Sequence, residues 1–182
     1  MPRVAPITGK SDVPAEHHAV VDGVLKTFGR VRGPYSILLH TPKLAQHFLG
    51  VVNFLRDSSI VEQKVRSLAA LVAAREREGG YVWAAQIEAA RKAGVREEAI
   101  ELIRAKGDPA RLPVEEREVV AYAQQLIRTS KVDKATFDAL HKRHGTQWLI
   151  ELTAATGYFG MLCGIVNAFE VPVPDGGDPL PR

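Results

Sequence analysis

The spacing of apolar residues along this chain predicts helices almost throughout. In most stretches apolar side chains recur three and four positions apart, which places them on one face of an α-helix. No stretch alternates convincingly between apolar and polar residues at a period of two, so we predict no β-sheet. The expected fold class is therefore all-α, a bundle of about seven or eight helices.

The centre of this pattern is a helical hairpin over residues 59–94. Two apolar stripes lie on either side of a short break at residues 78–80, where two glycines interrupt the helical pattern. The stripes are formed by Leu68, Leu71 and Val72 and by Trp83, Ile87 and Ala90. Because two helix ends and two aromatic rings should meet at this break, we expect any reactive pocket to lie there.

Several helix ends carry recognisable signals. Ser59 and Glu62 have the spacing of a capping box, which predicts the start of the first hairpin helix. Gly94 suits the left-handed position that ends the second. Thr41 and Pro42 form another helix start, since threonine can cap and proline fits the first helical turn.

The proline and glycine content predicts how the chain is divided. Residues 1–14 hold three prolines and no periodicity, so they are expected to form a flexible N-terminal arm. Residues 15–172 are expected to form a single helical domain, because 182 residues are too few to argue for two. Residues 173–182 are rich in proline and glycine, and they either strap over a neighbouring surface or remain loose.

Charge and cysteine content narrow the function. The net charge of +3 is spread out, and no basic block interleaved with aromatics follows it, which argues against nucleic-acid binding. The single cysteine, Cys163, excludes an intrachain disulfide and a cysteine-built metal site. The N-terminus lacks the apolar core of a secretory signal, so we expect a cytoplasmic protein. Residues 152–169 carry no charge, but their threonines and glycines favour a buried core helix over a membrane span.

The hairpin and three further strings resemble the carboxymuconolactone decarboxylase family, which includes the alkylhydroperoxidase D (AhpD) proteins. The strings are Leu38-Leu39-His40-Thr41-Pro42, Arg56-Asp57-Ser58-Ser59 and Asn167-Ala168-Phe169-Glu170-Val171-Pro172. The resemblance covers roughly residues 35 to 175. It implies an AhpD-like all-α fold, an obligate homo-oligomer such as a trimer or hexamer, and a pocket at the hairpin near a subunit interface.

The reactive groups of the peroxidase branch of that family are replaced in this chain. Ser67 stands where the resemblance places a glutamate, Gly79 and Val82 where it places two cysteines, and Gln86 where it places a histidine. Peroxide reduction of that type needs a thiolate, a base to generate it and a second thiol to resolve the oxidised sulfur. We therefore expect no thiol peroxidase, and we interpret the distant Cys163 as a packing residue.

Three residues are candidates for catalysis. Gln86 should point inward, where it either binds a carboxylate or carbonyl oxygen of a ligand or forms a structural hydrogen bond. Glu78 either lies in a partly apolar site that would suit acid–base work or is a solvated charge in the run Arg75-Glu76-Arg77-Glu78. His47 is a possible base contributed by another helix.

Ser67, Tyr81 and Trp83 are the residues expected to line a substrate site, although both aromatic rings also suit a core. No cofactor is predicted. No metal site is predicted either, because His141 and His144 have a suitable spacing but no third ligand accompanies them.

Three functions follow from the residues and the resemblance. The first is a cofactor-independent decarboxylase or lyase acting on a small carboxylated lactone from aromatic catabolism. The alternative is a non-catalytic oligomer that binds a small acid or serves as a scaffold. A third, antioxidant hydroperoxide reduction, is disfavoured because the cysteine pair is absent.

Overall fold

The computed structural model describes residues 2–181, so Met1 of the predicted arm and Arg182 of the predicted tail lie outside the described residues. Residues 2–181 form eight α-helices and three 3-10 turns and contain no strand, which confirms the all-α prediction. The helices are α1 His18–Phe28, α2 Pro34–Leu38, α3 Pro42–Asp57, α4 Gln63–Glu76, α5 Gly80–Lys92, α6 Glu97–Arg104, α7 Val114–Thr129 and α8 Lys134–Ala168. They belong to two compact units, which among the described residues are 2–59 with 165–172 and 60–164 with 173–181.

In the first unit, α1 packs against α3 through the apolar faces that their periodicity predicts. The N-terminal arm also belongs to this unit. Its Ile7 and Val13 are buried, and the Ile7 backbone N–H donates to the Ser36 carbonyl at 2.9 Å. Arg3 forms an ion pair with Glu170 at 2.8 Å. Residues 2–14 are therefore fixed along the first unit by contacts at both ends of the arm.

The second unit is built around α4, which packs against α5, α6 and α7. Residues Ser67 to Arg75 of α4 are all buried. Its central stretch is alanine, leucine and valine on every face, which is the composition of a helix surrounded by other helices. The hairpin of α4 and α5 is thus confirmed as the centre of this unit.

The hairpin begins at Gln63 and not at the predicted Ser59. Glu62 is the N-cap residue in an extended conformation, and its side chain makes no capping hydrogen bond. Its carboxylate instead accepts a hydrogen bond from the indole of Trp148 at 3.1 Å. The Glu62 carboxylate, which the predicted capping box required, is therefore hydrogen-bonded to Trp148. The other end agrees with the prediction, since Gly94 follows α5 with φ +83°.

The long α8 is two helical segments joined at Gly145, whose φ of 82° and ψ of 177° are non-helical. The sequence predicts this division, with a helix after Asp133, a stop at Gly145 and a new start at Thr146. Asp133 caps the first segment, because its carboxylate accepts from the Thr136 backbone N–H at 2.9 Å. By length and composition α8 is able to cross a membrane, but half of its most apolar stretch is buried within the chain. A helix of the core has the same properties.

Candidate functional site

The turn between α4 and α5 exposes its only carboxylate. Glu78 adopts a left-handed conformation with φ +51°, and its side chain is 75% exposed. The nearest cation is the Lys106 ammonium, 3.6 Å from the Glu78 carboxylate. Glu78 therefore lies at the surface. In the part of the chain that the structure describes, the partly apolar surroundings that would suit it to acid–base work are not found around it.

Gly79, in the same turn, lies directly beneath Cys163 of α8. A Cβ atom added at Gly79 would stand 2.4 Å from the Cys163 Sγ and 2.9 Å from its Cβ. The thiol of α8 thus fills the volume that a side chain at position 79 would need. The sequence gives no indication of this contact, because the two residues belong to distant helices.

The Cys163 thiol is poorly suited to redox chemistry. Its side chain is fully buried, and burial raises its pKa to about 12 although the positive charge of Arg77 opposes the shift. Since the nucleophile in thiol chemistry is the thiolate, a thiol with this pKa is almost entirely unreactive near neutral pH. The expectation that Cys163 is a packing residue agrees with its surroundings.

The polar candidates of the hairpin lie on the two helices that pack together. Ser67 on α4 is 9% exposed, whereas Gln86 on α5 is half-buried. Tyr81, at the start of α5, is 7% exposed. The helix pair α4 and α5 therefore carries a hydroxyl, an amide and a phenol that are wholly or partly shielded from solvent.

Trp83 is fully buried and is covered by a cation. The guanidinium carbon of Arg104, from α6, lies 5.0 Å from the centre of the indole ring. This distance is typical of a cation–π contact. The indole N–H of Trp83 forms no hydrogen bond of ordinary geometry with residues 2–181.

The C-terminal tail brings a carboxylate to this cation. Asp178 accepts from Arg104 through both carboxylate oxygens, at 2.5 and 2.9 Å, and lies 3.6 Å from the guanidinium of Arg91. The Arg104 contact lowers the pKa of Asp178, and the positive charge of Arg91 and the indole N–H of Trp83 also contribute. The carbonyl of Pro179 accepts a further bond from Arg104 at 2.8 Å. The tail is thus fixed at one point by a forked ion pair.

Between the last helix and this ion pair, the tail follows α5. A Cβ added at Gly177 would lie 2.9 Å from the Cβ of Ala84, and one added at Gly80 would lie 3.2 Å from Val173. Of the two interpretations of the tail, a strap over a neighbouring surface is therefore the one that describes residues 173–179. The surface it covers is the first turns of α5.

The predicted site residues are only partly brought together. Tyr81, Trp83 and Gln86 share α5, and Ser67 lies on its partner helix α4. His47 is exposed on α3 in the first unit. The sequence did not single out Arg104 or Asp178, and no local pattern could have revealed the pair, since 74 residues separate them.

Two further sequence features have structural roles. His141 donates to or accepts from Thr146 at 2.9 Å, whereas His144 stacks on Trp148 at 3.9 Å, so the two rings engage different partners. Within residues 2–181 no group of three or more His, Cys, Asp or Glu side chains is placed to hold a metal ion. The glycines of α8 line an open cleft of about 470 Å³. The residues around it are Arg77, Leu126, Ile127, Ser130, Thr153, Gly157, Gly160, Met161 and Gly164.

Comparison with known proteins gives a match at the level of structure. No family model and no curated protein sequence matches the chain. The AhpD core of an uncharacterised peroxidase-related protein from Ralstonia eutropha JMP134 superposes with a TM-score of 0.73 at 18% identity, covering 95% of each chain. The debrominase Bmp8, in complex with 2,3,4-tribromopyrrole, gives a TM-score of 0.74 at 18% identity over 96% of this chain and 94% of its own.

A third solved structure is shorter than this chain. It is a protein of unknown function from Agrobacterium tumefaciens described as a possible antioxidant defence protein AhpD, with a TM-score of 0.65 and 16% identity. It covers 76% of this chain and 95% of its own length. Together with the hairpin geometry, these similarities establish that the chain has the AhpD-like all-α fold that its sequence resemblance predicted.

Proposed function

We propose that this protein is a thiol-independent enzyme with the AhpD-like fold, a decarboxylase-like lyase that acts on a small carboxylated lactone. The observation that carries this proposal is the state of the only thiol. Cys163 is buried against Gly79 and its pKa is raised to about 12, so the hairpin retains polar groups but no accessible thiolate. A reaction at this hairpin would therefore use substrate binding and proton transfer, without a thiolate nucleophile.

Each hairpin residue has a role in this proposal. The Gln86 amide holds a carboxylate or carbonyl oxygen of the substrate, and the Ser67 hydroxyl assists it. The rings of Tyr81 and Trp83 form the apolar wall. When carbon dioxide leaves, the carbon–carbon bond breaks and its electron pair stays on the ring, so an acid must return a proton to carbon. Glu78, in the turn between the two hairpin helices, is the proton carrier.

One of the similar solved structures supports a small ring compound as the class of ligand. One of them, the debrominase, holds a tribromopyrrole, which is a small planar ring. A fold that encloses such a molecule in one protein can provide a similar cavity for a lactone in another. As part of the same proposal, the protein is a cytoplasmic homo-oligomer with a role in the breakdown of aromatic compounds.

Lactone turnover tests the proposal directly. The loss of carboxymuconolactone is followed by ultraviolet absorbance with wild-type protein and with Gln86→Ala. Because a hydrogen bond to a charged group contributes about 1.5–3 kcal/mol, we expect Gln86→Ala to lower kcat/KM about tenfold or more.

Two control variants complete the assay. Lys92→Ala changes an exposed residue of the same helix and should leave turnover unaffected. Cys163→Ser should also retain turnover, whereas its complete loss would return the thiol mechanism. Absence of lactone turnover in the wild-type protein would contradict the lyase proposal.

A second candidate, a non-catalytic protein that binds small acids, is favoured by one observation. Glu78, the proposed proton carrier, is 75% exposed. An exposed carboxylate faces solvent and is not enclosed together with a substrate, as general acid–base catalysis requires. This candidate predicts that carboxylates raise the thermal unfolding temperature while no product forms.

A further inference from the structure

We propose that Arg104, Arg91 and the indole N–H of Trp83 form a carboxylate-binding site, and that Asp178 of the tail occupies this site as an internal ligand. An external small, planar carboxylate binds when it displaces Asp178. The inference deepens the proposed function, on which it rests for the class of ligand alone. It names a site, in addition to the Gln86 amide, at which a carboxylate is recognised, and it names the group that competes for that site.

The contacts of Asp178 are those of a bound carboxylate. Both of its oxygens accept from the terminal nitrogens of Arg104, at 2.5 and 2.9 Å, in the forked arrangement that guanidinium groups make with planar carboxylates. A second guanidinium, that of Arg91, approaches to 3.6 Å. The Arg104 side chain is 17% exposed and that of Asp178 is 23% exposed, so the pair is well shielded from water. Such geometry favours a carboxylate over an uncharged amide of the same shape.

Trp83 supplies an independent sign that the site accommodates a ligand. Its indole is fully buried, and its N–H forms no hydrogen bond of ordinary geometry with residues 2–181. The same N–H contributes to the lowered pKa of Asp178, so it is close to the carboxylate. A buried donor that approaches an acceptor without reaching ordinary hydrogen-bond geometry is only partly satisfied, which is unfavourable. A ligand seated slightly deeper than Asp178 would complete its bonding.

The carboxylates around Arg91 and Arg104 balance most of the positive charge of the site, so that one further negative charge suffices. Arg91 is already paired with Glu88 at 2.7 Å and with Glu97 at 2.8 Å. Arg104 uses its Nε to bond Glu101 at 3.0 Å, which leaves both terminal nitrogens for Asp178. Because these acids neutralise most of the local positive charge, the site should prefer a monocarboxylate to a dianion.

The tail is attached in a way that permits displacement. Residues 173–181 contain no helix, and Asp178 makes the ion pairs of this segment, with Arg104 and Arg91. A ligand on a short flexible tether competes at an effective concentration in the millimolar range. Removing the Asp178 charge should therefore raise the apparent affinity for a free carboxylate without changing the site itself.

Calorimetric titration with benzoate tests this inference, because benzoate is a planar carboxylate without the lactone ring of the proposed substrate. We expect Asp178→Asn to bind benzoate about tenfold or more tightly than the wild-type protein. Asp175→Asn removes an exposed carboxylate of the same tail and should behave as wild type. Benzamide, which has the same ring without the charge, should not bind any of the three.

The guanidinium groups are tested in the Asp178→Asn background. Arg104→Gln should abolish benzoate binding there, and Arg91→Gln should weaken it about threefold, as expected for a partly neutralised cation. If Arg104→Gln does not fold, Arg91→Gln decides the question. Equal benzoate affinities of wild type and Asp178→Asn, or equal binding of benzamide, would overturn the inference. Benzoate binding without lactone turnover would overturn only the proposed reaction.

Discussion

The Cys163 side chain occupies the space that a side chain at position 79 would need, so position 79 favours glycine while Cys163 is present. The φ of −83° and ψ of 72° at Gly79 are open to any residue, so the backbone alone does not require glycine. What excludes a larger residue is the Cys163 side chain, because a Cβ atom at position 79 would lie closer to its Sγ than Cβ atoms lie to their neighbours in real structures. The position is therefore constrained by packing and not by conformation.

Gly79→Ala is expected to destabilise the protein by about 1–3 kcal/mol, because an added methyl group in a packed core forces its neighbours to shift. The free energy of unfolding, measured by urea denaturation, provides the test. Gly164→Ala is the matched control, since it adds the same methyl group to α8 where no atom lies within 4 Å. Alanine is the better helix former, so that control should be neutral or slightly stabilising. Equal effects of both changes would contradict the packing argument.

At the residue scale, the sequence identified the helix pair correctly but not the chemistry around it. Ser67, Tyr81, Trp83 and Gln86 all lie on the hairpin of α4 and α5, and their role in a substrate site stays a prediction. The salt bridge between Arg104 and Asp178 could not be predicted. Periodicity reports which face of a helix is apolar, whereas a contact between a helix and an irregular tail has no period.

At the scale of elements, stop signals were more informative than one start signal. Gly94 and Gly145 end helical segments where predicted, because a left-handed backbone position strongly favours glycine. The capping box at Ser59 did not form, since Glu62 bonds Trp148 instead. Capping side chains have alternative partners in a folded protein, and a sequence alone does not reveal them.

The C-terminal strap should detach in acid. The Arg104 guanidinium holds the pKa of Asp178 below its usual 3.8. Because the folded-state pKa is depressed, the ion pair contributes fully above about pH 3.8 and is lost as the pH falls through the folded-state value. The hydrogen bond from Arg91 lowers the pKa of Glu97 as well, and both arginines stay charged in acid.

Hydrogen–deuterium exchange of peptides covering residues 173–181, corrected for intrinsic rates between pH 7 and pH 2, measures this detachment. The wild-type strap should be protected at neutral pH and should lose its protection in the acidic range. Asp178→Asn should be unprotected throughout, while Asp175→Asn should follow the wild type. A strap that exchanges equally at every pH in the wild type would show that Asp178 does not fix it.

At the scale of the whole molecule, exposed apolar side chains on α3 are consistent with the prediction that the protein is an oligomer. Leu44, Val51 and Phe54, all on α3, are 44%, 41% and 46% exposed. Sedimentation equilibrium should therefore give a mass that is a multiple of the 19.9 kDa chain, and the family resemblance predicts a trimer or hexamer. A mass equal to one chain across the micromolar range would contradict this expectation.

The fold was predictable because α6 and α7 each carry a one-sided apolar face and α4 is apolar on all faces. The function was less accessible for a physical reason. A fold is specified by many weak and redundant apolar contacts, whereas an active site depends on a few side chains whose mutual positions arise only in three dimensions.

The contact between Gly79 and Cys163 also sets the order in which this turn can change during evolution or redesign. A cysteine placed at position 79 first would bring its Cβ to 2.4 Å from the existing sulfur, so that step alone would be disfavoured. Replacing Cys163 with glycine beforehand would open the volume, and the same second step would then be tolerated. The two positions are thus epistatic, and a cysteine at position 79 is favoured only after Cys163 has been replaced.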